Sequence, residues 1–289
     1  MAAPSTSFVK QYQATISLLA QQMDTRLKAG VMVDTNWTGE EKFYDQYGTD
    51  TMVEISSRLA DTPVQAADHR RRKVSPRYYV SNTIEDPFEA MAMLIDPKSA
   101  YMQAKMASAN RKIDKTIIDA LGGTAYYGKT GSSSATLGSG NKVLVQSAGL
   151  TKNKLIEAKV LLDEDEVPKN DRYFACSAEQ VGDLLKSTEA TSSDFNVVKA
   201  LVQGELDTWI GFKITQTEQL EVDASYDRLC YAWQKQGLQL AIQKNPTGNI
   251  TERPDKNYAW QVYLQMALGA VRLEEIYVVQ VACDEAEES

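Results

Sequence analysis

Phe8, Tyr12, Ile16, Leu19, Met23 and Leu27 recur every three or four residues. That rhythm predicts an amphipathic helix over about 7–28, capped by Thr6 or Ser7, an N-terminal arm with one adhesive face. Residues 31–80 break the rhythm. Val31, Val33, Trp37, Phe43, Tyr44, Val53, Ile55 and Leu59 alternate loosely with polar groups, and the stretch ends in Val74–Val80 with Tyr78 and Tyr79. Two extended ribbons around a polar middle, 61–73, carry too few apolar residues for a core of their own, so a long projecting hairpin is expected. The clearest helix follows. Asp96 is placed to cap it and Pro97 to open it, Ala100, Ala104, Ala107, Ile113, Ile117 and Leu121 form one stripe, and Gly122-Gly123 ends it. Over 97–122 that is a rod of roughly 37 Å.

A Gly/Ser/Thr loop, 128–140, leads to a short strand expected at Lys142–Gln146. From Leu150 helices and strands alternate. Thr151 is expected to cap a helix to about Asp165, with Leu150 and Leu155 as a hydrophobic staple. Arg172–Cys176 reads as a strand, Ser177 as the cap of a helix through Lys186, and Asp194 as the cap of another through Val202. Gly211–Gln216 and Arg228–Trp233 read as strands. From Thr251 the chain turns extended again, with β-formers over Tyr258–Leu268 and Val271–Val281. The acidic end, Asp284–Ser289, is expected to fray. The fold class expected is α+β, with no internal repeat.

Composition narrows the function. With 289 residues, 43% hydrophobic and 24% charged, the chain can build a core without disulfides or metal. Thirty-one basic against 39 acidic residues give a net charge of −8, which disfavours general nucleic-acid binding. His69 is the one histidine, which removes most zinc sites and histidine-based acid–base chemistry. Cys176, Cys230 and Cys283 have no paired spacing and read as free thiols in a reducing compartment. Met1–Val9 holds no apolar run, so no signal peptide is expected, and no window is apolar enough to span a membrane.

Four candidates carry chemistry. Gly123-Thr124-Ala125-Tyr126-Tyr127-Gly128-Lys129-Thr130 fits the phosphate-loop pattern at its fixed positions, but a helix leads in and Gly131-Ser132-Ser133-Ser134 leads out. A phosphate loop needs the reverse, a strand before and a helix dipole after, so a nucleotide site is rejected. His69-Arg70-Arg71-Arg72-Lys73 is the one dense basic run, expected to dock on an acidic protein surface from the end of the hairpin. For these arginines the sequence offers no internal partner beyond the adjacent Asp68. Asp163, Glu164, Asp165 and Glu166 lack the alternation and glycine of a calcium loop and read as a solvated helix end. Tyr258, Trp260 and Tyr263 read as packing. No catalytic residue, cofactor or metal ligand is expected.

Three stretches nonetheless resemble a known family. Leu94-Ile95-Asp96-Pro97 with Ser99 and Tyr101, Asp194-Phe195-Asn196 through Lys199-Ala200-Leu201-Val202 with Gly204-Glu205, and Arg253-Pro254-Asp255-Lys256 with Tyr258, Gln261, Val262 and Tyr263 are similar to major capsid proteins of tailed bacteriophages, the Hong Kong 97-type fold. The resemblance spans nearly the whole chain and implies a structural protein, not an enzyme. It implies an N-terminal arm (1–35), an extended loop (36–88) and a peripheral domain (89–150) with a spine helix (97–122). An α/β axial domain (151–250) and a return to the peripheral domain with an acidic tail (251–289) complete it. The implied role is self-assembly into pentamers and hexamers of an icosahedral head around double-stranded DNA, made in the bacterial host cytoplasm and found in the virion. Implied partners are further copies of the chain, a separate scaffolding protein, a portal protein at one vertex and a decoration protein, with DNA touched only non-specifically. Intersubunit contacts are expected from Phe8, Tyr12, Ile16 and Leu19 on the arm and from His69, Arg70, Arg71, Arg72 and Lys73 on the loop. The competing readings are an encapsulin-like nanocompartment shell and, behind it, a phosphate-loop NTPase.

Overall fold

The computed structural model describes residues 21–58, 61–62, 64–66, 68–85, 98–186 and 208–285. In chain order the strands are β1 (Met32–Asp34), β2 (Lys42–Tyr47), β3 (His69–Val74), β4 (Arg77–Glu85), β5 (Ala125–Tyr127), β6 (Ser133–Ala135) and β7 (Lys142–Val143). They continue with β8 (Arg172–Cys176), β9 (Thr208–Trp209), β10 (Phe212–Gln216), β11 (Asp227–Gln234), β12 (Leu238–Arg253), β13 (Ala259–Arg272) and β14 (Val278–Asp284). The described helices are α1 (Lys98–Gly122), α2 (Lys152–Glu164) and α3 (Ala178–Lys186). Three sheets result, ordered β1-β12-β13-β4, β7-β14-β11-β8-β10-β9 and β2-β3-β5-β6.

The described residues fall into two compact units. The first holds 21–24, 78–85, 98–112 and 244–267. Within it the N-terminal part of α1 lies on β4, where Lys105 Nζ donates to Ser81 Oγ at 3.0 Å and Lys112 Nζ sits 4.8 Å from the Tyr79 ring centre. Gly248 on β12 lets Met102 lie close, since a Cβ there would stand 2.5 Å from Met102 Sδ. The β12–β13 hairpin turns at Asn257 and Tyr258, both with positive φ. Just before that turn Arg253 grips Asp255 with two bonds of 2.7 and 2.6 Å. The family-like Arg253-Pro254-Asp255-Lys256 stretch is therefore a hairpin corner.

The second unit holds the remaining described residues, built on the six-stranded sheet. Its central strands are apolar on both faces, with Phe174, Ala175, Cys230, Ala232 and Trp233 fully buried. Thr151 caps α2 by accepting from the Lys154 N–H at 3.3 Å, and Leu150 and Leu155 are both buried. The chain between α2 and β8 is held by Arg172. This buried side chain ion-pairs with Asp163 at 2.7 Å and donates to the Val167 and Pro168 carbonyls. All three cysteines are buried and free.

Several expectations need correction. The helix expected to reach residue 28 is absent over 21–27, and Lys28–Gly30 forms a 3-10 turn. The Asp114 carboxylate takes the Arg26 and Leu27 N–H groups at 2.9 and 3.2 Å, donors an α-helix would need for itself. The arm residues Phe8, Tyr12, Ile16 and Leu19 lie outside the described residues, as do the Asp96–Pro97 cap and the helix expected at 194–202. The ribbon expected around Val53 and Ile55 is not in a sheet, whereas the polar run at 69–73 is. The Lys142–Gln146 strand stops at Val143. Asp284 belongs to β14, and Glu285 does not fray: Arg228 and Gln180 hold it at 2.8 and 2.7 Å.

Candidate assembly interface

The basic run is not a hairpin tip. His69–Lys73 forms β3, the second strand of the β2-β3-β5-β6 sheet, antiparallel to both neighbours. A strand this charged survives because each cation meets an acid or a ring. Arg71 lies across from Asp45 and pairs with it at 3.1 Å, its guanidinium 5.6 Å from the Phe43 ring centre. Lys73 reaches Glu41 at 2.7 Å, Arg70 reaches Asp68 at 2.9 Å, and His69 packs edge-on against Tyr47 at 4.8 Å. The expectation that these cations have no internal partner beyond Asp68 is therefore wrong. Asp45 and Glu41 lie far away in sequence and come close only through strand pairing or the fold.

Arg72 differs from its neighbours. Its side chain is only 10% exposed, with Nη2 2.7 Å from Glu275 Oε2, and its guanidinium lies 5.4 Å from the Tyr127 ring centre. Behind Glu275 stands Arg272, fully buried, its Nε 3.8 Å from the other carboxylate oxygen. Arg272 Nη1 donates to the Leu121 carbonyl at 2.6 Å and to Gly123 at 3.0 Å, closing the C-terminal turn of α1. Burial lowers the Arg272 pKa; Glu275 opposes that shift and Arg72 adds to it. Two guanidiniums share one carboxylate, so the cluster keeps a net positive charge. Nη1 of Arg72 is buried without a hydrogen-bond partner. Nothing local in the sequence announces Arg272 or Glu275 as part of this cluster, since Glu275 lies 203 residues from Arg72.

These groups border a groove of about 840 Å³, lined among others by Arg70, Arg72, Tyr127, Lys129, Ala135 and Glu275. The phosphate-loop-like stretch forms part of its wall. Gly123 ends α1, Ala125–Tyr127 is a strand, and Gly128 and Gly131 turn the chain with positive φ into β6. A Cβ at Gly131 would strike Lys73 Cδ at 2.3 Å. No helix follows the loop to point its N-terminus at a phosphate, so the cradle of a nucleotide site is not built. No cluster of metal-ligating side chains and no helix long and apolar enough to cross a membrane occurs among the described residues.

The other exposed feature of the second unit is the loop joining β2 to β3. Its base is closed by the Gly48 N–H donating to the Asp68 carbonyl at 2.7 Å. Beyond the base, Met52 is 103% exposed, and Val53, Ile55 and Val64 also face solvent. So many exposed large apolar groups make the described part of the loop a candidate contact surface.

A family model described as "Phage capsid protein" matches residues 5–285. The chain belongs to that phage capsid family. Solved structures agree on the fold at low sequence identity. A capsid chain of cyanophage P-SCSP1u superposes with a TM-score of 0.76 at 16% identity, covering 97% of this chain and 94% of that one. The cyanophage Pam1 capsid gives 0.74 at 13%, covering 99% of each, and the Ralstonia phage GP4 capsid gives 0.73 at 10%, covering 100% and 98%. A comparison with curated protein sequences finds no match. The capsid protein thus has the α+β, Hong Kong 97-like fold expected from the resemblance, and its role is that of a structural major capsid protein. Neither the nanocompartment nor the NTPase reading is favoured. In the capsid protein the groove and the exposed loop are candidate contact surfaces.

Proposed function

We propose that copies of this chain assemble into pentamers and hexamers of an icosahedral phage head that encloses double-stranded DNA. The observation that carries the reading is the family match over residues 5–285 together with an apolar loop that no part of the described chain covers. In this reading residues 1–35 are the arm, 36–88 the extended loop, 89–150 and 251–289 the peripheral domain with its tail, and 151–250 the axial domain. The protein catalyses no reaction. Phe8, Tyr12, Ile16 and Leu19 on the arm and the His69–Lys73 strand contribute to contacts between copies. Internal pairing of the strand cations means that they act as a preformed surface rather than as free arms. A separate scaffolding protein and a portal protein at one vertex complete the particle, which assembles in the host cytoplasm. The shell's acidity suits this role, because a basic lumen would hold phosphates and slow DNA entry. Expression of the chain, with and without a scaffolding protein, followed by electron microscopy tests it. Closed shells or capsomers are the expected result. A chain that stays monomeric under all assembly conditions, or shells that enclose an enzyme cargo, would sink the reading.

A further inference from the structure

We infer that Asp114 on α1 is the residue that fixes where the N-terminal arm leaves the body, and that closure of shells depends on it through the arm. The inference rests on the shell reading above and names a positioning residue within it.

Asp114 is out of place by every local rule. It sits in the interior of a helix, where aspartate is a poor former, and it is fully buried, as are Ile113 and Ile117 beside it in the sequence. A buried carboxylate costs more than an apolar side chain of similar size, so its presence points to specificity rather than stability. Its two oxygens divide two consecutive main-chain donors between them. Oδ2 accepts from the Arg26 N–H at 2.9 Å and Oδ1 from the Leu27 N–H at 3.2 Å. The carboxylate thus holds backbone, not a side chain, and holds it at one register. Arg26 Nη1 adds a second anchor, donating at 2.7 Å to the carbonyl of Gln216 at the end of β10, and the Leu27 side chain is buried.

In the first unit the same helix grips the residues just before. Asn110 Nδ2 donates to the Met23 carbonyl at 2.7 Å, and Arg111 Nη1 donates to Gln21 Oε1 and to the Gln22 carbonyl at 2.8 and 3.2 Å. Residues 21–27 form no helix or strand of their own, so side chains of α1 supply partners that regular structure would otherwise give their backbone. The chain leading out of the arm is therefore fixed without having a fold. An arm that starts from a fixed anchor has fewer conformations to lose on meeting a neighbour than one hinged on a free linker. Because every copy carries the same anchor, every arm starts in the same direction, as repeated contacts in a shell require.

The test uses the full chain. Asp114→Asn keeps the shape of the side chain but turns one acceptor into a donor that faces an N–H. In the unassembled variant, amide exchange at Arg26 and Leu27 should quicken about tenfold, with native circular dichroism. Trypsin should cut after Arg26 about tenfold faster, read by mass spectrometry as a product that begins at Leu27. Shell yield should fall about tenfold. Asn110→Ala with Arg111→Gln loosens residues 21–23 from partly exposed positions and leaves the core untouched; it should also speed that cut and lower shell yield. Thr151→Ala is the control, since it weakens the fold by removing the α2 cap without touching residues 21–27. It should assemble normally. A control that assembles as poorly as Asp114→Asn would overturn the inference, because general instability would then suffice. Native exchange at Arg26 and Leu27 in Asp114→Asn would overturn the anchor. Loosened residues with shells of normal yield and size would overturn its part in assembly while leaving the capsid role intact. Failure of the unaltered chain to assemble would instead count against the shell reading itself.

Discussion

Replacing Arg272 with methionine removes a fully buried guanidinium whose partners cannot leave with it. Buried ion pairs are often replaceable by apolar groups, because the desolvation cost vanishes together with the attraction. Here the main acceptors are main-chain carbonyls, Leu121 at 2.6 Å and Gly123 at 3.0 Å, with Ala120 and Ala135 at 3.4 Å. Two charge-assisted bonds at ~1.5–3 kcal/mol each give a gross loss of about 3–6 kcal/mol. Relief of the guanidinium's own desolvation returns part of this, so a net loss of about 3 kcal/mol is expected. Unfavourable charge at the end of α1 works in the same direction, since the helix dipole favours a cation there. Urea unfolding of the unassembled chain measures the effect. With a slope of about 2–3 kcal/mol/M, the midpoint should fall by roughly 1–1.5 M. Arg272→Lys, which keeps the charge but loses the fork, should fall between native and methionine. A methionine variant as stable as the native chain would show that the carbonyls are satisfied without the guanidinium and would refute the reasoning.

Two further outcomes follow from buried and paired groups. Burial pushes the Cys176 thiol up to about 12, with Cys283 and Glu218 adding to the shift, and drives Cys230 up as well. No thiol should react with a maleimide in the native chain at pH 7 and all three should in denaturant; native labelling of Cys176 would contradict its burial. Burial alone would raise the Asp34 pKa, but the Lys42 ammonium at 2.5 Å, the Asn36 N–H and the Tyr44 hydroxyl outweigh it and hold the carboxyl below its ordinary 3.8. The stability it contributes is therefore full above the unfolded pKa and lost as pH falls through the lower folded value. Asp34→Asn should cost about 1 kcal/mol at pH 7, and the gap to native should close below about pH 4. A gap that persists unchanged into acid would assign the loss to packing.

Where one local signal set an element, the sequence revealed it. Gly122-Gly123 marks the end of α1, Thr151 caps α2, and the run Arg172–Cys176 gives β8 with the observed ends. The misreadings share a cause: the deciding partner is remote. β3 looked like the docking end of a hairpin because its stabilising acids, Asp45, Glu41 and Glu275, sit on other segments. β12 begins at Leu238, well before the expected Thr251. Among the described residues its pairing with β1 covers only Gln239–Ala241. The family and its role were legible from motif and element order. The groove was not, since Arg72, Lys129 and Glu275 are joined only by the fold.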